Sequence, residues 1–330
     1  MNKIAFAAAL LLAVLAPYAV YPVFLMSALC FAIFACAFNL LIGYVGLLSF
    51  GHAAYFGFAS YVTAVAVKRW GFEPLLGILL GAGAAGLLGL VFGALAIRRQ
   101  GIYFAMITLA LSQMVFFYAL QAKWTGGEDG IQAVPRRALF GLFDLTGETA
   151  MYYFVLAIFL LALALIYRTI HSPFGQVLKA IRENEARAIS LGYEVDRYKL
   201  LAFVLSAAIA GLGGGTKALV THIASLTDVQ WQMSGEVVLM TLVGGMGTVL
   251  GPAVGAFVIV MMQNYLATTG EWVLVIQGDI FVVTVLAFRR GIVGEAIARW
   301  HLYRSRRALR AARAAAPGPA DAPPSAAPPG

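Results

Sequence analysis

Apolar side chains run along this chain in long blocks with few polar positions inside them. Blocks of span length, about 20 mostly apolar residues, fall at 4–20, 22–42, 45–67, 75–97, 101–121, 150–167, 200–222, 252–268 and 272–288. A shorter run, 236–250, contains Gly244, Gly245 and Gly247 and reads as a half-span. The first block resembles a signal peptide, but Lys3 alone makes its positive region and a second block follows almost at once, so it reads as a retained helix. The pattern predicts an all-α, polytopic transmembrane helical bundle of about nine or ten spans or half-spans.

Composition agrees. Hydrophobic residues make up 62% of the 330 and charged ones 12%, with a mean hydropathy of +0.86. A water-facing domain carries about 25% charge, so lipid must solvate much of this surface. The net charge of +8 is concentrated at one end. Residues 1–288 hold 15 basic and 13 acidic side chains, a net of +2, and eight arginines from Arg289 to Arg313 supply most of the rest. Clusters of this kind beside a span fit retention on the cytoplasmic side and contact with anionic lipid. No base-reading fold accompanies them, so nucleic acid is not an expected partner. Cys30 and Cys36 read as small buried hydrophobes.

Lysine and arginine placement sets the orientation. Lys3, Arg98–Arg99, the 168–199 loop and the C-terminal arginines are all expected on the cytoplasmic side, with both termini inside. Lys68–Arg69 and Arg136–Arg137 then fall outside, the second pair partly balanced by acidic neighbours. Residues 1–297 form the membrane domain, and 298–330 a basic, then Ala/Pro-rich tail that is expected to be disordered.

Chemistry is scarce. GLGGGTKA (211–218) lacks the order of a phosphate loop and lies inside an apolar block, so its glycines read as close-packing positions, with Lys217 near enough to the block's end to snorkel. His52, His171, His222 and His301 show no ligand spacing, and no metal site is expected. Nor does any nucleophile or acid–base motif point to an enzyme. Asp279 stands within the last block, with Gln263, Asn264 or Lys217 as its expected partner. Two stretches instead break the backbone pattern: GYVGLLSFGHAAYFG (43–57) and LVGGMGTVLGPAVG (242–255). Irregular backbone inside a membrane protein lines a cavity or is buried, so Gly46, Ser49, Gly51, His52, Gly244, Gly245 and Pro252 are candidates for a substrate path. Close helix packing is the competing use of the same glycines.

The loop 168–199 is the one long charged segment. Ser172 suits a cap, Pro173 the first helical position and Gly192 the stop. Phe174, Val177, Leu178, Ile181, Ala188 and Ile189 recur on one face of the predicted helix. Such a helix lies on a membrane or docks in the groove of a soluble partner, and the pattern leaves both open.

ENEARAISLG (183–192) resembles the Glu-Ala-Ala…Gly loop of ABC importer permeases, with Arg187 where the second Ala would stand. SPFGQVLKAIRENE (172–185), GLLSFGHAAYFGFASY (46–61), TGGEDGI (125–131) and LVGGMGTVLGPAVGA (242–256) resemble the branched-chain amino acid permeases, in the form of the LivM-like subunit rather than its LivH-like partner. The likeness runs from about 35 to 297. It implies a second paralogous permease, two cytoplasmic ATPases that bind ATP and Mg, and a periplasmic binding protein, in a bacterial inner membrane. This chain itself would bind no cofactor. The resemblance assigns Ile181, Arg182, Glu183, Asn184, Glu185, Ala186 and Gly192 to coupling with the ATPases, and adds Thr125, Gly126 and Gly127 to the path. Lys217 and the tail beyond 297 depart from the family pattern. Urea or short-amide import fits the same motifs, whereas an ATP-independent secondary transporter would need carboxylates within its spans.

Overall fold

A computed structural model of the chain describes residues 11–18, 20–138 and 144–266, together with part of 275–299. Among these it forms α1 (Pro22–Tyr44), α2 (His52–Lys68), α3 (Pro74–Ala96), α4 (Ile102–Gln121), α5 (Glu148–His171), α6 (Pro173–Glu183), α7 (Glu185–Ser190), α8 (Val195–Val220), α9 (Trp231–Gly244) and α10 (Gly251–Leu266). Among the described residues five helices, α1, α3, α4, α5 and α8, are long and apolar enough to cross a membrane. The chain is a polytopic all-α membrane protein.

Three helices carry the interior, and α2 is buried at all but three of its 17 residues. The apolar window of α1 is 89% buried and that of α8 72%, against 28% for α4. A helix that is apolar on every side can be satisfied only by neighbours on every side. Helix α8 achieves this with glycine. A Cβ on Gly211 would lie 2.6 Å from Ala85 of α3, one on Gly213 3.0 Å from the Cys30 carbonyl of α1, and one on Gly214 would overlap the Phe56 carbonyl of α2. The GLGGGTKA run is thus a packing surface against three helices, as its composition implied.

Element boundaries follow the apolar blocks closely except where polar contacts move them. Helix α2 starts only at His52, leaving 45–51 irregular. Helices α5 and α8 extend into the charged loop, so the segment between them shrinks to 172–194. Helix α9 has 14 residues, about 21 Å of rise, and begins inside the bundle. The Ser234 hydroxyl accepts from the Ala53 amide in the first turn of α2 at 3.0 Å, and the Asp228–Val229 backbone crosses Gly57. The short run at 236–250 is therefore the second part of a 14-residue helix followed by a turn at 245–250 that leads into α10.

Three expectations about charged residues change. Lys217 does not snorkel: its Nζ pairs with Asp228, whose side chain is 1% exposed, and lies 5.6 Å from the Phe31 ring. The one-turn 3-10 helix Leu226–Asp228 folds back into the bundle and delivers the carboxylate. Gln263, offered as a partner for Asp279, instead donates to Glu236 at 3.0 Å, and Asp279 is exposed. The cations at the far end are held mainly by backbone carbonyls rather than by acidic neighbours, although Glu148 lies close enough to favour the charge of Arg136. Lys68 donates to Gln132 at 2.6 Å, Arg137 to Gly71 at 3.0 Å, and Arg136 to Leu219 and Val220 at 3.1 and 2.7 Å. Arg136 thereby caps the last carbonyls of α8, where the helix dipole favours a cation. The predicted tail at 301–330 and most of the block at 272–288 lie outside the described residues, as does the first half of the block at 4–20.

Removing one member of a buried ion pair strands the other charge. Lys217→Met is expected to destabilise the protein by about 3–5 kcal/mol, measured by thermal unfolding in detergent. The double variant Lys217→Met/Asp228→Asn should recover most of that loss.

Candidate functional site

Residues 172–194 fold as two helices, not the single one that periodicity predicts. Ser172 caps α6, its hydroxyl accepting from the Gly175 amide at 3.3 Å with Pro173 at the first helical position. At Asn184 the backbone becomes extended (φ −158°, ψ 98°), and the side chain accepts from the Arg187 amide at 3.0 Å. Asparagine competes for backbone amides in this way, so it ends one helix and caps the next. Gly192, at φ +87°, closes α7 with the Tyr193 amide on the Ala188 carbonyl, the bond pattern of a glycine-terminated helix.

The segment has two unlike faces. Leu178, Ile181 and Ala188 are buried, the last two in a small cluster with Val195. Glu185 also points inward, bonding Lys199 of α8 at 2.6 Å and Gln100, between α3 and α4, at 2.8 Å. Lys199 is only 3% exposed at its side chain, so this pair fastens α7 to the bundle. Arg182 donates to the Gly43 carbonyl in the last turn of α1. Ile189, expected on the inner face, is 58% exposed and Leu191 68%, because the break at Asn184 rotates α7 relative to α6. Glu183 and Ala186 are exposed as well.

The two glycine-broken stretches meet at this same end of the bundle. The Asn39 side chain of α1 donates to the Thr248 carbonyl at 2.8 Å and accepts from the Gly247 amide at 2.9 Å. Gly46 (φ +85°), Gly245 (φ +122°) and Gly247 (φ +78°) occupy the left-handed region where a side chain is strained. The start of α2 is satisfied by side chains instead of water. Thr108 of α4 accepts from the Phe50 amide at 3.2 Å, and Ser49 from the Gly51 amide at 3.2 Å. His52 is fully buried, its Nε2 2.9 Å from the Ser206 hydroxyl, which in turn donates to the Ala37 carbonyl at 2.6 Å. Gly244 and Pro252 are buried where α9 and α10 cross, and a Cβ on Gly244 would strike the Gly251 carbonyl.

An open apolar cavity of about 480 Å³ separates 46–50 from the first half of α4, lined by Gly46, Leu48, Phe50, Ile102, Ala105 and Leu109 among others. Of the path candidates, Gly46 lines it, while Ser49, Gly51 and His52 lie buried behind. Thr125, Gly126 and Gly127 sit at the opposite end. There Thr125 caps α4 by donating to the Ala119 carbonyl at 2.6 Å, and the turn continues into an antiparallel bridge between Ile131 and Ala224.

Several participants escape a reading by motif: Asn39, Gln100, Thr108, Lys199, Ser206 and Ser234. Asn39 alone carried a signal, as a lone amide near the end of an otherwise apolar block where polar groups are costly. The others become partners only through contacts between distant helices.

The described residues thus form a helical membrane bundle with capped helices outside its spans and a glycine-rich junction beneath them. The chain belongs to the family described as branched-chain amino acid transport system / permease component, whose pattern matches residues 22–285. It is 27% identical over 283 residues to the high-affinity branched-chain amino acid transport system permease protein LivM of Escherichia coli, covering 77% of this chain and 65% of that protein. The chain thus spans about two thirds of the length of that relative. A probable branched-chain amino acid transport permease protein LivH of Methanocaldococcus jannaschii is 27% identical over 270 residues, 74% of this chain and 82% of that one. The autoinducer 2 import system permease protein LsrC of Klebsiella pneumoniae is 27% identical over 177 residues, 50% of this chain and 49% of its own. No solved structure matches.

Asn39→Leu removes both bonds to the 245–250 turn and leaves a half-buried amide and carbonyl without partners. A loss of about 2–4 kcal/mol is expected. Hydrogen exchange should rise at Gly247–Leu250 while the centre of α8 stays protected.

Proposed function

We propose that this chain is one permease subunit of an ATP-driven importer and forms half of the path for branched-chain or other aliphatic amino acids. It pairs with a second, paralogous permease. Two cytoplasmic ATPase subunits bind and hydrolyse ATP with Mg, and a periplasmic binding protein delivers the substrate. The chain lies in the bacterial inner membrane with α6, α7 and both termini on the cytoplasmic side.

The observation that carries this reading is the division of the coupling segment. Its charged residues Arg182 and Glu185 are bonded inward, whereas Ile189 and Leu191 stand 58% and 68% exposed on a segment outside the spans. Apolar side chains held outward on a helix fastened from behind suit insertion into a groove of a soluble partner. The family membership supplies the kind of partner. The cavity between 46–50 and α4 supports the substrate class, since its lining is apolar and it opens on the side of the least buried span. An aliphatic side chain loses water there at little cost. The name of the LsrC relative carries a different imported compound, so the substrate is best fixed by the ligand of the binding protein that delivers to this permease.

Ile189→Glu and Leu191→Glu place a charge on the outer face, where surface changes shift stability by no more than about 0.5 kcal/mol. Both variants should fold normally, lose copurification of the ATPase subunits, and lose uptake of labelled leucine. Retention of the ATPases with unchanged uptake would rule the reading out.

A further inference from the structure

One guanidinium joins three parts of the chain that sequence keeps far apart. Arg182 stands at the end of α6, and its Nη1 donates to the carbonyl of Gly43, in the last turn of α1. The next glycine, Gly46, lies against the same side chain: a Cβ there would be 3.2 Å from Arg182 Cγ. From the other broken stretch Gly247 closes over it, with its Cβ position 3.6 Å from Arg182 Nη1 and 3.6 Å from the Gly43 carbonyl. Gly43 also abuts Gly247 directly, 2.9 Å separating a Cβ on the first from the amide nitrogen of the second. A larger residue at Gly46 would crowd the arginine stem, and one at Gly43 would press Asn39 and Gly247 away from the end of α1.

The neighbouring bonds make the junction respond as a unit. Asn39 ties 247–248 to α1 through both ends of its amide. The amides of Val45, Gly46 and Leu47 all turn back to the Leu41 carbonyl, so 45–47 is wound against the end of α1. The Gly43 carbonyl is directed at the arginine. A helix C-terminus attracts a cation, and the planar fork of arginine holds a carbonyl in a fixed direction where lysine would be free to swing.

We propose that Arg182 is the positioning residue that carries motion of α6 and α7 to both glycine-broken segments, 45–51 and 245–250, together. The proposal rests on the importer reading and gives Arg182 an inward task in place of contact with the ATPase. A rotation or shift of α6 would drag the Gly43 carbonyl and press on Gly46 and Gly247. Both segments have backbones that only glycine adopts easily, so they can yield where regular helix would not.

The test uses the full importer in proteoliposomes, with leucine uptake and ATP hydrolysis measured on the same sample. In Arg182→Gln the ATPases should still copurify and hydrolysis should persist, while leucine imported per ATP falls about tenfold. Arg182→Lys should fall less, by about threefold, because the charge and one N–H remain. Should Arg182→Gln fail to accumulate, Arg182→Lys carries the test alone. Uptake per ATP at the wild-type level in the variant that assembles overturns the proposal. So does a loss of uptake that merely tracks the amount of assembled complex, which marks a structural anchor. Failure of the wild-type chain to copurify with any ATPase instead defeats the importer reading.

Discussion

Backbone amides and carbonyls inside this bundle have no water to bond, and the positions of its breaks depend on that constraint. Several interruptions are matched by a polar side chain from another element, while Ser172 and Asn184 cap the helices that follow them. Asn39 holds the turn between α9 and α10, Thr108 and Ser234 hold the start of α2, and Arg136 closes the end of α8. Breaks without such partners would each cost several kcal/mol in an apolar interior. The irregular stretches are therefore fixed features with named anchors, and they can be moved only by moving those anchors.

The anchors lie on α1 and α8 or on their neighbours. Helix α1 supplies Asn39 and the Ala37 carbonyl, and α8 supplies Ser206. Glycine on α8 makes the close approach of α1, α2 and α3 possible, and that approach brings His52 within bonding distance of Ser206. Packing and polar satisfaction are thus coupled. A side chain added at Gly214 would push α2 away and with it the first turn on which the 45–51 stretch depends.

The extent of individual spans was legible where apolar blocks of span length have few other uses, whereas their number was not: of the predicted nine or ten spans or half-spans, five helices among the described residues are long and apolar enough to cross. The expected 75–97 and 101–121 appear as Pro74–Ala96 and Ile102–Gln121. The same holds for caps built from adjacent residues, such as Ser172 with Pro173 and Gly192. What was not legible comes from contacts across the fold. Lys217 looked like a snorkelling cation because Asp228 is eleven positions on, beyond a turn that no periodicity describes. Ile189 looked like an inner-face residue because a helical wheel assumes one continuous helix, and Asn184 breaks it. The glycine-broken stretches were visible as such, but their meeting point depends on Asn39, and Asn39 has no motif around it.

The two ends of the bundle are fastened by different means. At the end away from α6, main chain pairs with main chain as well as with side chains: Ile131 and Ala224 exchange two bonds, at 3.0 and 2.9 Å, the Val134 amide bonds the His222 carbonyl, and Lys68, Arg136 and Arg137 donate to backbone carbonyls. The buried Lys217–Asp228 pair lies close by in the sequence. Opening that end would expose several backbone groups and a charged pair together. At the α6 end the junction is held mainly by single side chains, Asn39, Arg182, Thr108 and Glu185, each hydrogen bond contributing on the order of 1 kcal/mol net, more where a charge takes part. Such bonds can be exchanged one at a time, and the partners they release are themselves on movable segments.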